Sequence, residues 1–117
     1  MAALSEVVRE LAARDGVEAV LVISADGLPI EHASRGSADS ESIAALTASL
    51  VQYAGRLGLG AARGGLRTAV LEYERGLMIV AQLGVGDSLA ILAASEADLG
   101  QLLYDLRQHR PGLVALL

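Results

Sequence analysis

The chain of 117 residues has no cysteine and no tryptophan, and no lysine occurs anywhere in it. Without cysteine there is no thiolate nucleophile, no disulfide framework and no thiolate zinc site. Without lysine there is neither a Schiff base nor the lysine of a phosphate-binding P-loop. Histidine is scarce too: His32 and His109 stand far apart, without neighbours at the i, i+4 spacing of a helical metal site. Basic charge is short, with 9 cations against 14 carboxylates and a formal net charge of -5, which argues against a nucleic-acid backbone as ligand. The start, Met1-Ala2-Ala3-Leu4-Ser5-Glu6, lacks the basic region and apolar stretch of a secretory signal, and no apolar run is long enough to span a membrane. The expectation is a cytoplasmic protein with no cofactor, no metal, and neither nucleic acid nor membrane as partner.

What remains is aliphatic. Residues 1–117 are of single-domain length. A hydrophobic share of 53% against 20% charged residues leaves apolar surface available for a partner. Every cation is arginine, in a background rich in alanine and leucine, a composition of GC-rich bacterial genomes.

Leu4, Val7, Val8 and Leu11 recur at helical spacing and predict a short first helix stopped by Asp15-Gly16. Val17 to Ser24 is nearly continuous in aliphatic residues and reads as a central strand covered on both faces. Asp26-Gly27 signals a hairpin, returning through Leu28 to Ser34, where Pro29 demands an edge. A long helix follows from Glu41 to Leu57, with Asp39 or Ser40 as its cap. Its wheel puts Ile43, Leu46, Thr47, Leu50, Tyr53, Ala54 and Leu57 on a core stripe. The small flank Ala44, Ala48, Val51 and Gly55 offers either filler beside the core or a close helix-to-helix seam. Ala45, Ser49, Gln52 and Arg56 face away, free for a partner.

Gly58 and Gly60 are expected to end this helix. Arg67 to Glu74 then reads as a half-exposed edge strand, with Ala69, Leu71 and Tyr73 on one side and Thr68, Val70, Glu72 and Glu74 on the other. Two interior strands follow, Leu77 to Leu83 and Ser88 to Ala94. A capping box at Ser95–Asp98 opens a last helix along Leu99, Leu102, Leu103 and Leu106, which Pro111-Gly112 is expected to end. The apolar tail Leu113 to Leu117 is expected to dock on the domain. Hairpin connections make the sheet antiparallel, and strands apolar on both sides require helices on both faces. The fold class is therefore α+β, a five-stranded antiparallel sheet in the order α-β-β-α-β-β-β-α.

Chemistry finds little purchase on this frame. The loop Gly58 to Gly65 is glycine-rich, but it follows a helix and opens a strand, the reverse of a phosphate cradle. Ser24, Asp26 and His32 lack the surroundings of a nucleophile elbow. Glu31, Glu72 and Glu74 read as solvated charges on edge strands, and Arg56, Arg63, Arg67 and Arg75 as solvated cations. His109, Arg107 and Arg110 read as complements to the negative end of the last helix. No catalytic centre is expected.

The hairpin VLVISADGLPIEHAS, the long helix rich in small residues and the hairpin TAVLEYERGLMIVAQLG together resemble the roadblock / dynein light chain family, of profilin-like fold. The likeness runs from about Leu4 to Leu106. It implies a homodimer in which the strand Arg67 to Glu74 pairs with its symmetry mate while the two long helices lie together. The expected interface is then Ala44, Ala48, Val51 and Gly55 with Thr68, Val70 and Glu72. The resemblance further implies a scaffold or regulator of a Ras-like small GTPase, as in its bacterial MglB-like members, which bind the GTP form and reshape the GTPase so that its own residues hydrolyse the nucleotide. A structural adaptor in a larger complex with no GTPase partner is the alternative it allows. The sequence stops soon after the third helix, so regulation through the longer tail of some bacterial relatives is not expected.

Overall fold

The computed structural model describes residues 3–117; Met1 and Ala2, the start of the segment read above for a signal, lie outside the described residues. Eight elements follow one another: α1 (Leu4–Ala12), β1 (Val17–Ile23), β2 (Pro29–Ser34), α2 (Ser40–Gly60), β3 (Thr68–Tyr73), β4 (Gly76–Leu83), β5 (Asp87–Ala93) and α3 (Leu99–Leu116). The strands form one antiparallel sheet in the order β2-β1-β5-β4-β3. Both edges fall where the sequence places them, on the strand that begins at Pro29 and on the half-exposed TAVLEY strand.

Alternation along each strand divides the interior into two unequal cores. On one face α1 and α3 lie side by side, setting Val7, Val8, Leu11, Leu102, Leu106 and Leu113 against large residues of the sheet such as Val20, Val22, Ile79, Leu83, Leu89 and Ile91. The other face carries α2 alone, on a thinner layer of Ala19, Leu21, Ile23 and Ala90 with Ala44 of the helix buried among them. Small residues on both sides let the helix lie close to the strands, which leaves its bulky side chains no room underneath.

Four expectations fail, each for a local reason. Asp98, not Ser95, caps α3, its carboxylate accepting from the Gln101 N–H at 3.1 Å. The Ser95 hydroxyl is turned to the Glu96 carboxylate instead. Pro111 does not end α3, which continues to Leu116. Its ring removes one helical donor and costs about 3 kcal/mol in a helix interior. The turn beyond it delivers Leu113 to the main core, where its full burial returns about 1.5–3 kcal/mol, and packs the partly buried Leu116 against that core. Consequently Arg107, His109 and Arg110 sit in the body of the helix, and its last turn has no basic residue.

Gly58 likewise lies inside α2 instead of ending it. A Cβ at that position would come within 2.7 Å of the Gly64 carbonyl oxygen, because the following loop folds back across the helix. The fourth failure is part of the face that α2 buries: Thr47 turns inward and Ile43 packs against the core as expected, but Ala44 and Val51 join them there, whereas Leu46, Tyr53 and Leu57 are 71%, 67% and 74% exposed.

The docked end of α3 makes a direct prediction. Leu113→Ala should lower unfolding stability by about 3 kcal/mol in urea titrations. Val114→Ala, one residue on and exposed, should change it by less than about 0.5 kcal/mol. Equal midpoints for the two variants would show that the segment beyond Pro111 contributes nothing to the core.

Candidate interaction surface

Helix α2 is held at three points. At its start the Asp39 carboxylate accepts from the Ser42 backbone N–H at 3.2 Å and from the Ser42 hydroxyl at 2.8 Å. The Ser42 hydroxyl, then its N–H, holds the Asp39 carboxyl below its ordinary value. Near the first turns the β1–β2 hairpin leans on the helix: Gly27 sits at φ +81°, and a Cβ there would come within 3.3 Å of both the Ala45 Cα and the Ala48 Cβ. Only glycine meets both conditions. At the far end the loop closes over Gly58, and the Arg63 N–H donates to the Gly58 carbonyl at 2.8 Å.

Held this way, α2 presents two apolar stripes in different directions. The small one faces the protomer's own sheet. The large one, Leu46, Leu50, Tyr53 and Leu57 at i, i+4, i+7 and i+11, is turned outward, with only Leu50 partly covered. A helix apolar on two sides has two surfaces to bury against. Between the stripes Ala45, Ser49, Gln52 and Arg56 are exposed. Gln52 and Arg56 border a shallow depression of about 320 Å³ shared with Gln82 of β4 and with Ala25 and Gly86 of the hairpin turns. The Arg56 guanidinium lies 5.5 Å from the centre of the Tyr53 ring, a cation–π contact that limits its wandering.

The residues expected at a helix seam therefore divide. Ala44 is fully buried and Val51 nearly so within the protomer, so neither has surface left for a second helix. Ala48 and Gly55 are partly covered beside them. The large row that sequence reasoning assigned to the protomer's core lies open instead. Its legible signal was the doubling itself: two apolar rows on one helix, of which the sheet can cover only one.

Strand β3 supplies the second open element. Its backbone pairs with β4 alone, Val70 opposite Ile79 and Glu72 opposite Leu77. The Arg67 carbonyl accepts from the Gln82 N–H at 2.9 Å. Bonding alternates along an antiparallel ladder, so Ala69, Leu71 and Tyr73 bond inward to β4, and Thr68, Val70 and Glu72 turn their N–H and C=O groups outward. Val70 is 42% exposed at the middle of this edge.

The other sequence candidates are not brought together. His32 is exposed on the β2 edge and His109 lies on α3. Among the described residues no group of three or more His, Cys, Asp and Glu side chains is placed to hold a metal ion. The one ion pair among them joins Arg14 to Asp105 at 3.4 Å and ties α1 to α3. No described helix is long and apolar enough to cross a membrane.

A three-layer α+β domain with a single helix on one face and a bare outer strand beside it defines a class, the profilin-like roadblock fold. The sequence profile of the Roadblock/LC7 domain matches residues 3–93, and the chain belongs to that family. An uncharacterised protein of Methanocaldococcus jannaschii is 27% identical over 97% of this chain and 95% of its own length. The Roadblock/LC7 domain from Streptomyces avermitilis superposes with a TM-score of 0.83 at 27% identity, covering 96% of this chain and 98% of that one. Myxococcus xanthus MglB superposes with a TM-score of 0.90 at 18% identity, over 97% and 93% of the two chains.

The Asp39 cap sets a pH dependence. A carboxyl held below its ordinary value of 3.8 in the folded state stabilises the fold above that value, and the contribution is lost as pH falls through the lowered one. Asp39→Ala should lower the thermal midpoint by a few degrees at pH 7. The gap should begin to narrow as the pH falls through 3.8 and close only below the lowered value, where Asp39 is protonated in the folded state too. A gap that stays constant down to pH 2 would show that the charge on Asp39 is not what matters.

Proposed function

We propose that this protein is a homodimeric scaffold or regulator that binds a Ras-like small GTPase. The observation that carries the dimer is that one protomer leaves two elements open, the Leu46, Leu50, Tyr53 and Leu57 row of α2 and the unpaired edge of β3. Joining β3 to a second β3 satisfies the outward backbone groups of Thr68, Val70 and Glu72. Bringing α2 against its mate covers the large row, with about 2 kcal/mol gained for each big side chain removed from water. A patch of this kind on a lone domain is otherwise a liability for aggregation. This arrangement replaces Ala44 and Val51, already used within the protomer, and retains Thr68, Val70 and Glu72.

The GTPase reading rests on the likeness to MglB in fold together with what the dimer leaves open. Once the large rows are joined, Ala45, Ser49, Gln52 and Arg56 of both helices remain as a polar strip beside the two-fold axis. With no catalytic cluster on it, such a strip acts by binding and reshaping the GTPase's nucleotide loops rather than by donating reacting groups.

Two measurements test this. In sedimentation equilibrium the wild type should be a dimer. Val70→Pro, which removes an outward N–H not used within the protomer, and Leu57→Arg should both be folded monomers; a monomeric wild type overturns the dimer. For the partner, a Ras-like GTPase encoded in the same genome should bind the dimer when loaded with a non-hydrolysable GTP analogue and much more weakly when loaded with GDP. Arg56→Ala and Gln52→Ala together should weaken that binding about tenfold. Absence of binding in either nucleotide state would leave the adaptor reading in its place.

A further inference from the structure

The proposed dimer, on which this inference rests, brings together two molecules that each carry a net charge of -5. Their joined surfaces must offset that repulsion locally. Edge strand β3 is unlike the rest of the surface in this respect, because its two ends are of opposite sign. Beside its beginning, Arg67 of the preceding loop and Arg107 and Arg110 of α3 border one depression of about 370 Å³, with Leu103 and Leu106 in its lining and Thr68 at its rim. The i, i+3, i+4, i+7 spacing of Leu103, Leu106, Arg107 and Arg110 puts them on one face of α3. None of these three arginines has a carboxylate within ion-pairing distance among the described residues. At the other end stand Glu72 and Glu74, exposed and likewise unpaired, with the exposed Arg75 following them in the turn, so that end keeps an excess of one acidic charge.

Thr68 and Glu72 lie on the same side of the sheet as this depression. Their partners on β4, Ala81 and Leu77, belong to the core beneath α1 and α3, and directly opposed residues of a ladder share a face. A two-fold axis through the joined edges runs the second β3 antiparallel to the first, which sets the acidic end of one strand beside the basic end of the other. The register is narrowed further by the backbone. Only Thr68, Val70 and Glu72 turn their bonding groups outward, and the register centred on Val70 is the one that pairs all three, with Thr68 opposite Glu72 of the second copy and Val70 opposite Val70.

We propose that the dimer adopts this Val70-centred register and that Glu72 of each copy seats its carboxylate in the arginine depression of the other. The contact occurs twice by symmetry. Opposed strand residues have their Cβ atoms about 4.5–5.5 Å apart, so a carboxylate directly across from Thr68 falls within the span of a guanidinium reaching over from α3. Arginine's planar fork suits a carboxylate in two-pronged contact. The central Val70 pair adds a β-branched cross-strand contact. A slip of the strands by two residues sets either Glu72 across from Leu66 or Glu74, which stands in the turn beyond β3, across from Thr68; both leave part of the edge unpaired, so the backbone favours the register that seats Glu72.

The absence of native cysteine makes the register directly readable. Val70→Cys should give a disulfide-linked dimer on mild oxidation, since opposed residues lie about 5.5 Å apart at Cα, within disulfide reach. Ala69→Cys and Leu71→Cys should not cross-link. Cross-linking through residue 69 or 71 in place of 70 overturns the register.

The charge contact is tested by mixing. Glu72→Arg alone and the double change Arg107→Glu with Arg110→Glu alone should each weaken self-association about tenfold or more. In the heterodimer of the two variants both contacts are matched, so a mixture should assemble heterodimers in preference to either homodimer. A wild type that dimerises while the variants mix without preference overturns the charge contact and leaves the dimer standing. A wild type that stays monomeric overturns the dimer reading itself.

Discussion

Much of the surface of this protein follows from how closely α2 approaches the sheet. The layer between them is built from Ala19, Leu21, Ile23 and Ala90 below and Ala44, Thr47 and Val51 above, and a helix that turns its smaller residues to the sheet has little depth there to hide large ones. Leu46, Tyr53 and Leu57 therefore point outward because of the packing beneath them. The opposite face obeys the contrary rule, where α1 and α3 stand off the sheet on a thick layer of valine, leucine and isoleucine. One face closes over a thick core, and the other leaves the outer row of its helix exposed.

The strands and their order were legible in the sequence because their signals are local. Asp26-Gly27 between two β-rich runs marks a hairpin, Pro29 marks an edge, and the alternation of TAVLEY marks a half-exposed strand. The face of α2 was not legible, because periodicity locates apolar stripes without saying which of two is covered. Size misled: Leu46, Tyr53 and Leu57 are the natural core by hydrophobicity, and Ala44 and Val51 win by fitting the gap. The end of α3 was hidden for a related reason. Pro111 and Gly112 are correct local stop signals, overruled by the burial of Leu113, which is a tertiary fact. The candidate surface was thus half readable, with the strand edge foreseen and the helix face assigned to the wrong stripe.

The two edges of the sheet show how a fold separates an open rim from a guarded one. At β2, Pro29 withholds a donor, and a register shift between Val22 and Ile23 disturbs the ladder beside it. At β3 the six residues from Thr68 to Tyr73 pair with β4 in unbroken register and include no proline. Glutamates there discourage indiscriminate pairing, yet in a two-fold arrangement the same charges lie near arginines and cease to repel. In the proposed dimer, specificity toward a like strand and protection against other strands would come from one set of side chains.

The contact of Gly27 with Ala45 and Ala48 has a mechanical meaning. A helix of 21 residues is roughly 30 Å long, and the hairpin tip touches it in its second and third turns. That tip works as a fulcrum: a displacement of a few tenths of an ångström there, of the kind a single methyl group at position 27 would force, is magnified along the helix before it reaches Arg56 and Leu57. The tilt of the outward row is thereby tied to the β1–β2 turn, which meets the helix beside Leu46 where that row begins.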